Sequence, residues 1–270
     1  MHNKKLRIVE RLIDALVLPA AAALLLGVAA APAHADGPLL TPFSGAPLGA
    51  APAPWRFTTL PNKIPTRFEI TELDGKHVLK VEADKSYGNL VHATRVQLNG
   101  QATLDWRWRV EEFVAGADLH TRDGDDGAAK LCVFFDFPTD KLPLGERTRL
   151  ALAHSATGEL VPAQTLCYVW DNKEPKDSEF ANAFTDRMEM DVIESGPTTP
   201  AGGWLGEKRN LKADYQRAFG KEAGNFLPDV IAIAVSADAD NTKAQGIAYY
   251  SDIELHGTPP AAGAAAPTGQ

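Results

Sequence analysis

Arg67-Phe-Glu-Ile-Thr-Glu-Leu73, then Asp74-Gly75, then His77-Val-Leu-Lys-Val-Glu-Ala83 carries the clearest local structural signal in the chain. Apolar and polar residues alternate with period two on either side of Asp-Gly, the pattern of strands with one buried face. Asp and Gly tolerate the positive φ of a two-residue hairpin turn, so the stretch is read as a β-hairpin. Working outward, further strands are expected over 103–110, 130–137, 166–170, 188–193, 229–236 and 246–255, each bounded by Gly, Pro, Asp or Asn. One helix is expected over 207–219, where Leu211, Tyr215, Ala218 and Phe219 recur at helical spacing and Gly220 supplies the stop. Many short strands with one short helix make the chain mainly β, a two-sheet antiparallel β-sandwich of the jelly-roll kind.

In Leu104-Asp-Trp-Arg-Trp-Arg-Val110 the alternation puts Leu104, Trp106, Trp108 and Val110 on one face and Asp105, Arg107 and Arg109 on the other. The tryptophan face is the expected core. Cys132 and Cys167 both fall inside apolar runs. A disulfide needs their strands to be neighbours, so the bond and two buried thiols both stay open.

The first 35 residues read as a signal peptide. Lys4, Lys5, Arg7 and Arg11 precede an apolar run over 15–31, and Ala33-His34-Ala35 has the small-x-small form of a cleavage site. An uncleaved anchor is the alternative. No later run approaches the roughly 18 apolar residues of a spanning helix, so no membrane-embedded segment is expected after cleavage. A flexible lead-in is expected over 36–54, a single domain over 55–256, and a disordered Ala/Pro/Gly-rich tail over 257–270. The expected location is periplasmic or secreted, which permits a disulfide. The net charge is -8, and because the leader carries four basic and two acidic groups, the mature chain is more acidic still. Such a balance argues against nucleic acid, whose phosphates need a basic footprint, and leaves neutral sugars and cations open.

Two acidic loops, Asp123-Gly-Asp-Asp-Gly127 and Asp238-Ala-Asp-Asn-Thr242, each precede a strand. Their carboxylates, amides and carbonyls are hard oxygen donors of the kind calcium takes. Neither is an EF-hand, since the twelfth position is Phe134 in one and Tyr249 in the other. The sequence lacks a Gly-x-Ser-x-Gly elbow, His-Glu-x-x-His, a phosphate loop and Cys-x-x-Cys, and its histidines are scattered, so catalytic residues stay unassigned. Paired acids, Asp125 or Asp126 facing Glu207 or Asp240, are the residues a polysaccharide hydrolase or lyase would use.

The run Tyr249-Tyr-Ser-Asp-Ile-Glu-Leu255 resembles the closing strand of jelly-roll carbohydrate-binding modules, in which the Asp helps hold a structural calcium. That resemblance makes Asp252, with Asp240, the expected metal ligands. Trp106-x-Trp108-Arg109-Val110, Asp125-Asp126, Tyr168-x-Trp170, Arg209-Asn210, Asp214-Tyr215, Phe219-Gly220, Asp238-x-Asp240-Asn241-Thr242 and Tyr249-Tyr250-x-Asp252-Ile253 together resemble an exported bacterial domain-of-unknown-function family, the one numbered 3047. The likeness runs from about Trp55 to Leu255. The chain departs from it at Lys130, where Arg is expected, and at Cys132, where an aromatic is expected.

The resemblance implies export and a β-rich domain. It also suggests that Asp125, Asp126, Arg209, Asn210, Asp214, Asp238, Asp240 and Asn241 converge on one polar site, either a ligand site or a buried network. The resulting expectation is an exported ligand-binding sandwich for carbohydrate or envelope glycan, with Trp170, Trp204 or Tyr250 stacking on the sugar. The hydrolase and a structural or interaction protein of the envelope are its alternatives.

Overall fold

The computed structural model describes residues 38–157, 161–198 and 203–260. The expected signal peptide and residues 261–270 of the tail lie outside these. Among the described residues, fourteen strands and two α-helices follow in the order β1 Gly49–Ala50, β2 Arg56–Thr58, β3 Arg67–Leu73, β4 Lys76–Asp84, β5 Tyr87–Val96, β6 Thr103–Glu112, β7 Gly127–Phe135, α1 Leu144–Thr157, β8 Gln164–Asp171, β9 Ser178–Asn182, β10 Thr185–Ser195, β11 Leu205–Asn210, α2 Leu211–Ala223, β12 Val230–Asp238, β13 Gln245–Tyr250 and β14 Glu254–His256. The first sheet has the order β1-β3-β4-β13-β6-β11, with β14 also on β6, and the second has the order β2-β5-β12-β7-β8-β10-β9. The mainly β sandwich is therefore as the sequence required, except that β10 runs parallel to β8.

The hairpin forms as read. Asp74 and Gly75 take φ of 55° and 72° at its turn, and β3 pairs antiparallel with β4 from Arg67↔Glu82 to Leu73↔Lys76. On β6, Leu104, Trp106, Trp108 and Val110 are all buried in the core between the sheets. They meet Leu131, Val133 and Phe135 of β7 and Tyr168 and Trp170 of β8 in that core. Arg107 and Arg109 point away, over the rings of Trp204 and Tyr249.

Four expectations are corrected. The helix begins at Leu211, because 205–210 pairs antiparallel with β6 as an edge strand. A second helix, α1, has Leu144 and Leu152 in solvent and Leu150 alone against Phe137, Leu142 and Ala163, so no repeating apolar face marks it in the sequence. The run 246–255 is broken into β13 and β14. The part of the lead-in that is described, 38–54, is packed: Leu40, Phe43 and Ala46 are buried, and Trp55 donates Nε1–H to the carbonyl of Thr41 at 2.8 Å.

Cys132 and Cys167 face each other across β7 and β8 and form a disulfide, with Cα atoms 4.0 Å apart. Leu131 and Val133 belong to the inter-sheet core, so alternation turns Cys132 to the outer face of the second sheet. There the bond lies in a second apolar cluster with Leu119, Val169, Met190 and Val192.

Asn210 joins β11 to α2. Its side-chain oxygen accepts the N–H of Ala213 at 3.0 Å, satisfying one donor that the first helical turn leaves unpaired. Asn210→Ala is expected to cost about 1 kcal/mol, read by calorimetry as a melting temperature about 2–4 °C lower. Asn210→Asp should keep the wild-type value, and an unchanged Ala variant would remove the cap from the account.

Candidate functional site

Gly127 lies opposite Asp238 in the β7–β12 pairing, so the loop entering β7 and the loop leaving β12 must lie side by side. Asp125, Asp126, Asp238, Asp240 and Asn241 meet there. Asp126, fully buried, accepts the backbone N–H of Asn241 at 3.2 Å and of Thr242 at 2.6 Å. Asn241 Nδ2 donates to the Asp125 carbonyl at 3.1 Å. Asp238 accepts from Lys130 Nζ at 2.6 and 2.9 Å and from the Gly127 N–H at 2.9 Å. Burial works against the Lys130 ammonium, but Asp238 and Asp125 beside it outweigh this and push its pKa up. The lysine is the internal partner of a buried ion pair. Asp240 pairs with Lys63. Asp125 takes the Asn182 side-chain N–H on Oδ2 at 2.7 Å, while its buried Oδ1 has no partner among the described residues.

Arg209, Asn210 and Asp214 do not join this group. Asn210 is the helix cap. Arg209 reaches both oxygens of Asp214, through Nε at 2.9 Å and Nη2 at 3.0 Å, and Asp191 Oδ2 through Nη2 at 3.1 Å. Arg217 Nη1 also donates to Asp214, at 2.6 Å, and the Tyr168 hydroxyl donates to it at 2.8 Å. Arg217 pairs in addition with Asp191 and Glu179. Because Arg209 is on β11 of the first sheet and Asp191 on β10 of the second, the cluster is a seam between the sheets. Burial works to raise the Asp214 pKa, but hydrogen bonds from Arg209 and Arg217 outweigh it and hold the carboxyl below its ordinary value. The two polar groups sit on different faces of the second sheet. Lys130 and Asp238 lie outside, and Tyr168 lies in the core.

The expected stacking aromatics also separate. Trp170 is 2% exposed and donates Nε1–H to the Gly196 carbonyl at 2.8 Å, and Tyr250 is fully buried, so neither presents a face to a ligand. Trp204 is partly exposed, with Arg107 over its ring and its Nε1–H donated to Asp74 at 3.2 Å. Asp252 takes the N–H groups of Phe43 and Ser44 at 2.7 and 2.8 Å and the Ser44 hydroxyl at 2.5 Å, pinning the lead-in. Asp252 is thus engaged with the lead-in, and Asp240 with Lys63. Among the described residues no group of three His, Cys, Asp or Glu could hold a metal ion.

Glu207 lies apart from Asp125 and Asp126, in the seam. It accepts the Trp108 indole N–H at 3.2 Å, and burial pushes its pKa up to about 7.

At the opposite open side of the sandwich, β1 and β3 of one sheet face β2 and β5 of the other across a groove of about 370 Å³. Trp55, Phe57, Phe68, Leu90, Thr66 and Arg67 are among its lining residues. A Cβ on Gly88 of β5 would lie 2.7 Å from Phe57 Cε2, so only glycine lets that ring lie close against the strand. Phe57 remains 39% exposed, with Phe68 at 5.9 Å between ring centroids. Of the seven large apolar side chains exposed among the described residues, Leu48, Phe57, Leu60 and Ile64 belong to this corner of the chain. An isolated glycine inside a strand was the one sequence signal that pointed here.

No curated protein sequence matches the chain. Among solved structures it is similar to the K1 cleaved adhesin domain of Lys-gingipain from Porphyromonas gingivalis W83, at 9% identity and a TM-score of 0.35, over 81% of this chain and 96% of that one. It is also similar to Trichoderma harzianum endoglucanase 3 from family GH12, at 9% identity and a TM-score of 0.37, over 76% of this chain and 99% of that one. Likeness at this level assigns no activity. The family model for a protein of unknown function, DUF3047, matches residues 53–254, nearly the whole described domain. The chain belongs to the DUF3047 family.

Proposed function

We propose that the domain is an exported, carbohydrate-binding β-sandwich whose ligand lies in the groove at the β1–β3 and β2–β5 edges. The observation that carries this is Phe57, set against Gly88 on one side and open to the groove on the other. A sugar ring buries its C–H face on such an aromatic surface, and its hydroxyls take hydrogen bonds from polar groups at the rim. Arg67 supplies one, since its guanidinium is 66% exposed and only loosely engaged with Glu69, at 3.4 Å, and Glu82, at 3.8 Å. The commitment of Asp126, Asp214 and Asp238 to internal partners favours binding over hydrolysis. The disulfide fits the oxidising compartment that export would provide.

The test is binding of a glycan array and a panel of envelope polysaccharides by the folded wild type, Phe57→Ala and Trp204→Ala. Removing an aromatic contact anchor costs about 1.5 kcal/mol, or about tenfold in affinity. Wild type and Trp204→Ala are expected to bind alike and Phe57→Ala about tenfold more weakly. Absence of binding by a folded wild type, or equal binding by Phe57→Ala, would overturn the proposal.

A further inference from the structure

The polar chemistry of the groove at the β1–β3 and β2–β5 edges is narrow. Trp55, Thr66 and Arg67 are the lining side chains that carry polar atoms. Trp55 donates its indole N–H to the Thr41 carbonyl at 2.8 Å. The buried Thr66 hydroxyl donates to the Ala237 carbonyl at 3.0 Å and lies 2.9 Å from the Ser86 hydroxyl. Hydrogen bonding from a side chain to a ligand therefore falls to Arg67, which is also the one charged residue of the lining among the described residues. A guanidinium has donors and no acceptor, so the group that faces it must accept, and a carboxylate matches its fork with two parallel bonds. We infer that the groove takes an acidic glycan built on uronic acids, with a sugar carboxylate on Arg67 and the C–H face of a ring on Phe57. The inference rests on the reading of this groove as the carbohydrate site.

Charge around the groove supports this. The chain carries a net charge of -8, which at long range repels a polyanion. The segment that builds this corner departs from that balance: from Gly37 to Phe68 it holds Arg56, Lys63 and Arg67 and neither Asp nor Glu. Lys63 is taken by Asp240. The acids bonded to Arg67, Glu69 and Glu82, alternate with the core residues Ile70, Val81 and Ala83, so they stand on the outer face of the first sheet and not in the groove. Glu82 is held by Lys80 at 2.9 Å, and that bond lowers its pKa. Arg67 meets Glu69 through Nη2 at 3.4 Å and Glu82 through Nη1 at 3.8 Å. Both are longer than the roughly 2.7–2.9 Å of a charge-assisted hydrogen bond, so a ligand carboxylate would displace two loose contacts and no formed bidentate pair. At about 370 Å³ the groove is near the lower end of the roughly 300–1,000 Å³ of small-molecule sites, which suits a short run of sugar rings.

The experiment is titration calorimetry of the full chain with oligogalacturonate, oligoalginate and hyaluronan fragments, each beside its carboxyl-reduced neutral counterpart. A sulfated galactan without uronate serves as the anion control. Wild type is expected to bind at least one uronate about tenfold more tightly than its reduced form. Arg67→Gln, at a side chain 66% exposed, should keep the wild-type melting temperature and bind both forms with the affinity wild type shows for the reduced one. Phe57→Ala should weaken both forms and keep the preference for the acid. Equal wild-type affinity for acid and reduced forms, a preference that survives in Arg67→Gln, or a sulfated galactan bound as tightly as the best uronate would each overturn the inference. Neutral binding that still depends on Phe57 would in that case leave the carbohydrate site standing, whereas a folded wild type that binds neither acidic nor neutral glycans would remove both readings.

Discussion

Asp214→Ala is expected to destabilise the domain by about 3–5 kcal/mol, because it removes the anion from a buried, multiply bonded cluster. In a domain of this size that is a melting temperature lower by roughly 10 °C. The cost has three sources. Tyr168, fully buried, loses the acceptor of its hydroxyl. Arg209 loses two of the three hydrogen bonds it makes to carboxylates and keeps only that to Asp191. Arg217 keeps Asp191 and Glu179, and because its side chain is 38% exposed, water takes over part of what it loses. Arg217→Ala should therefore cost markedly less than Asp214→Ala. Thermal and urea unfolding of both variants check this, and equal losses, or an Asp214 effect below about 1 kcal/mol, would show that the seam is solvated surface.

The seam also shows what was legible. The motif Arg209-Asn210 with Asp214 stands out in the sequence, and whether it marks a ligand site or a network depends on where Asp191 lies. Asp191 comes from β10 in the other sheet, and no local pattern announces that β10 inserts between β8 and β9. The β3–β4 hairpin and the tryptophan face of β6 were readable because turn chemistry and period two are local. The meeting of the two acidic loops is implied by the family resemblance alone, and its cause is the pairing of β7 with β12, in which Gly127 lies opposite Asp238. An aromatic in an alternating run reads the same whether it faces core or solvent, so the sequence does not separate buried Trp170 and Tyr250 from a stacking surface. Phe57 carries no local signal, because its setting depends on Gly88, a residue on a neighbouring strand.

The two open sides of the sandwich are thus treated differently. Where β1–β3 face β2–β5, the edge keeps apolar side chains in solvent and a groove between them. Where β11 faces β10, ion pairs bridge the sheets. A ligand in the groove would contact both sheets, so rigidity at the far edge helps keep Phe57 and Phe68 in register. Binding energy is then not spent on ordering the sandwich.

Breaking the disulfide is expected to cost about as much as breaking the seam. Cys132 and Cys167 are 35 residues apart, and the chain between them carries α1, whose large apolar residues Leu144 and Leu152 are exposed. Cross-linking a loop of that length removes chain entropy from the unfolded state worth about 4 kcal/mol. The double variant Cys132→Ala and Cys167→Ala should melt roughly 10 °C lower, plus a smaller loss from the space left beside Leu119, Met190 and Val192. Both sulfur-bearing residues are at most 4% exposed, so a reductant should act on the wild type only as it unfolds. Heating in dithiothreitol should lower the wild-type melting temperature to slightly above that of the double variant and leave the variant's own unchanged. Protein denatured without reductant should titrate no free thiol. Two thiols per chain, or a melting temperature indifferent to reductant, would mean that the paired strands are held by their apolar cluster alone.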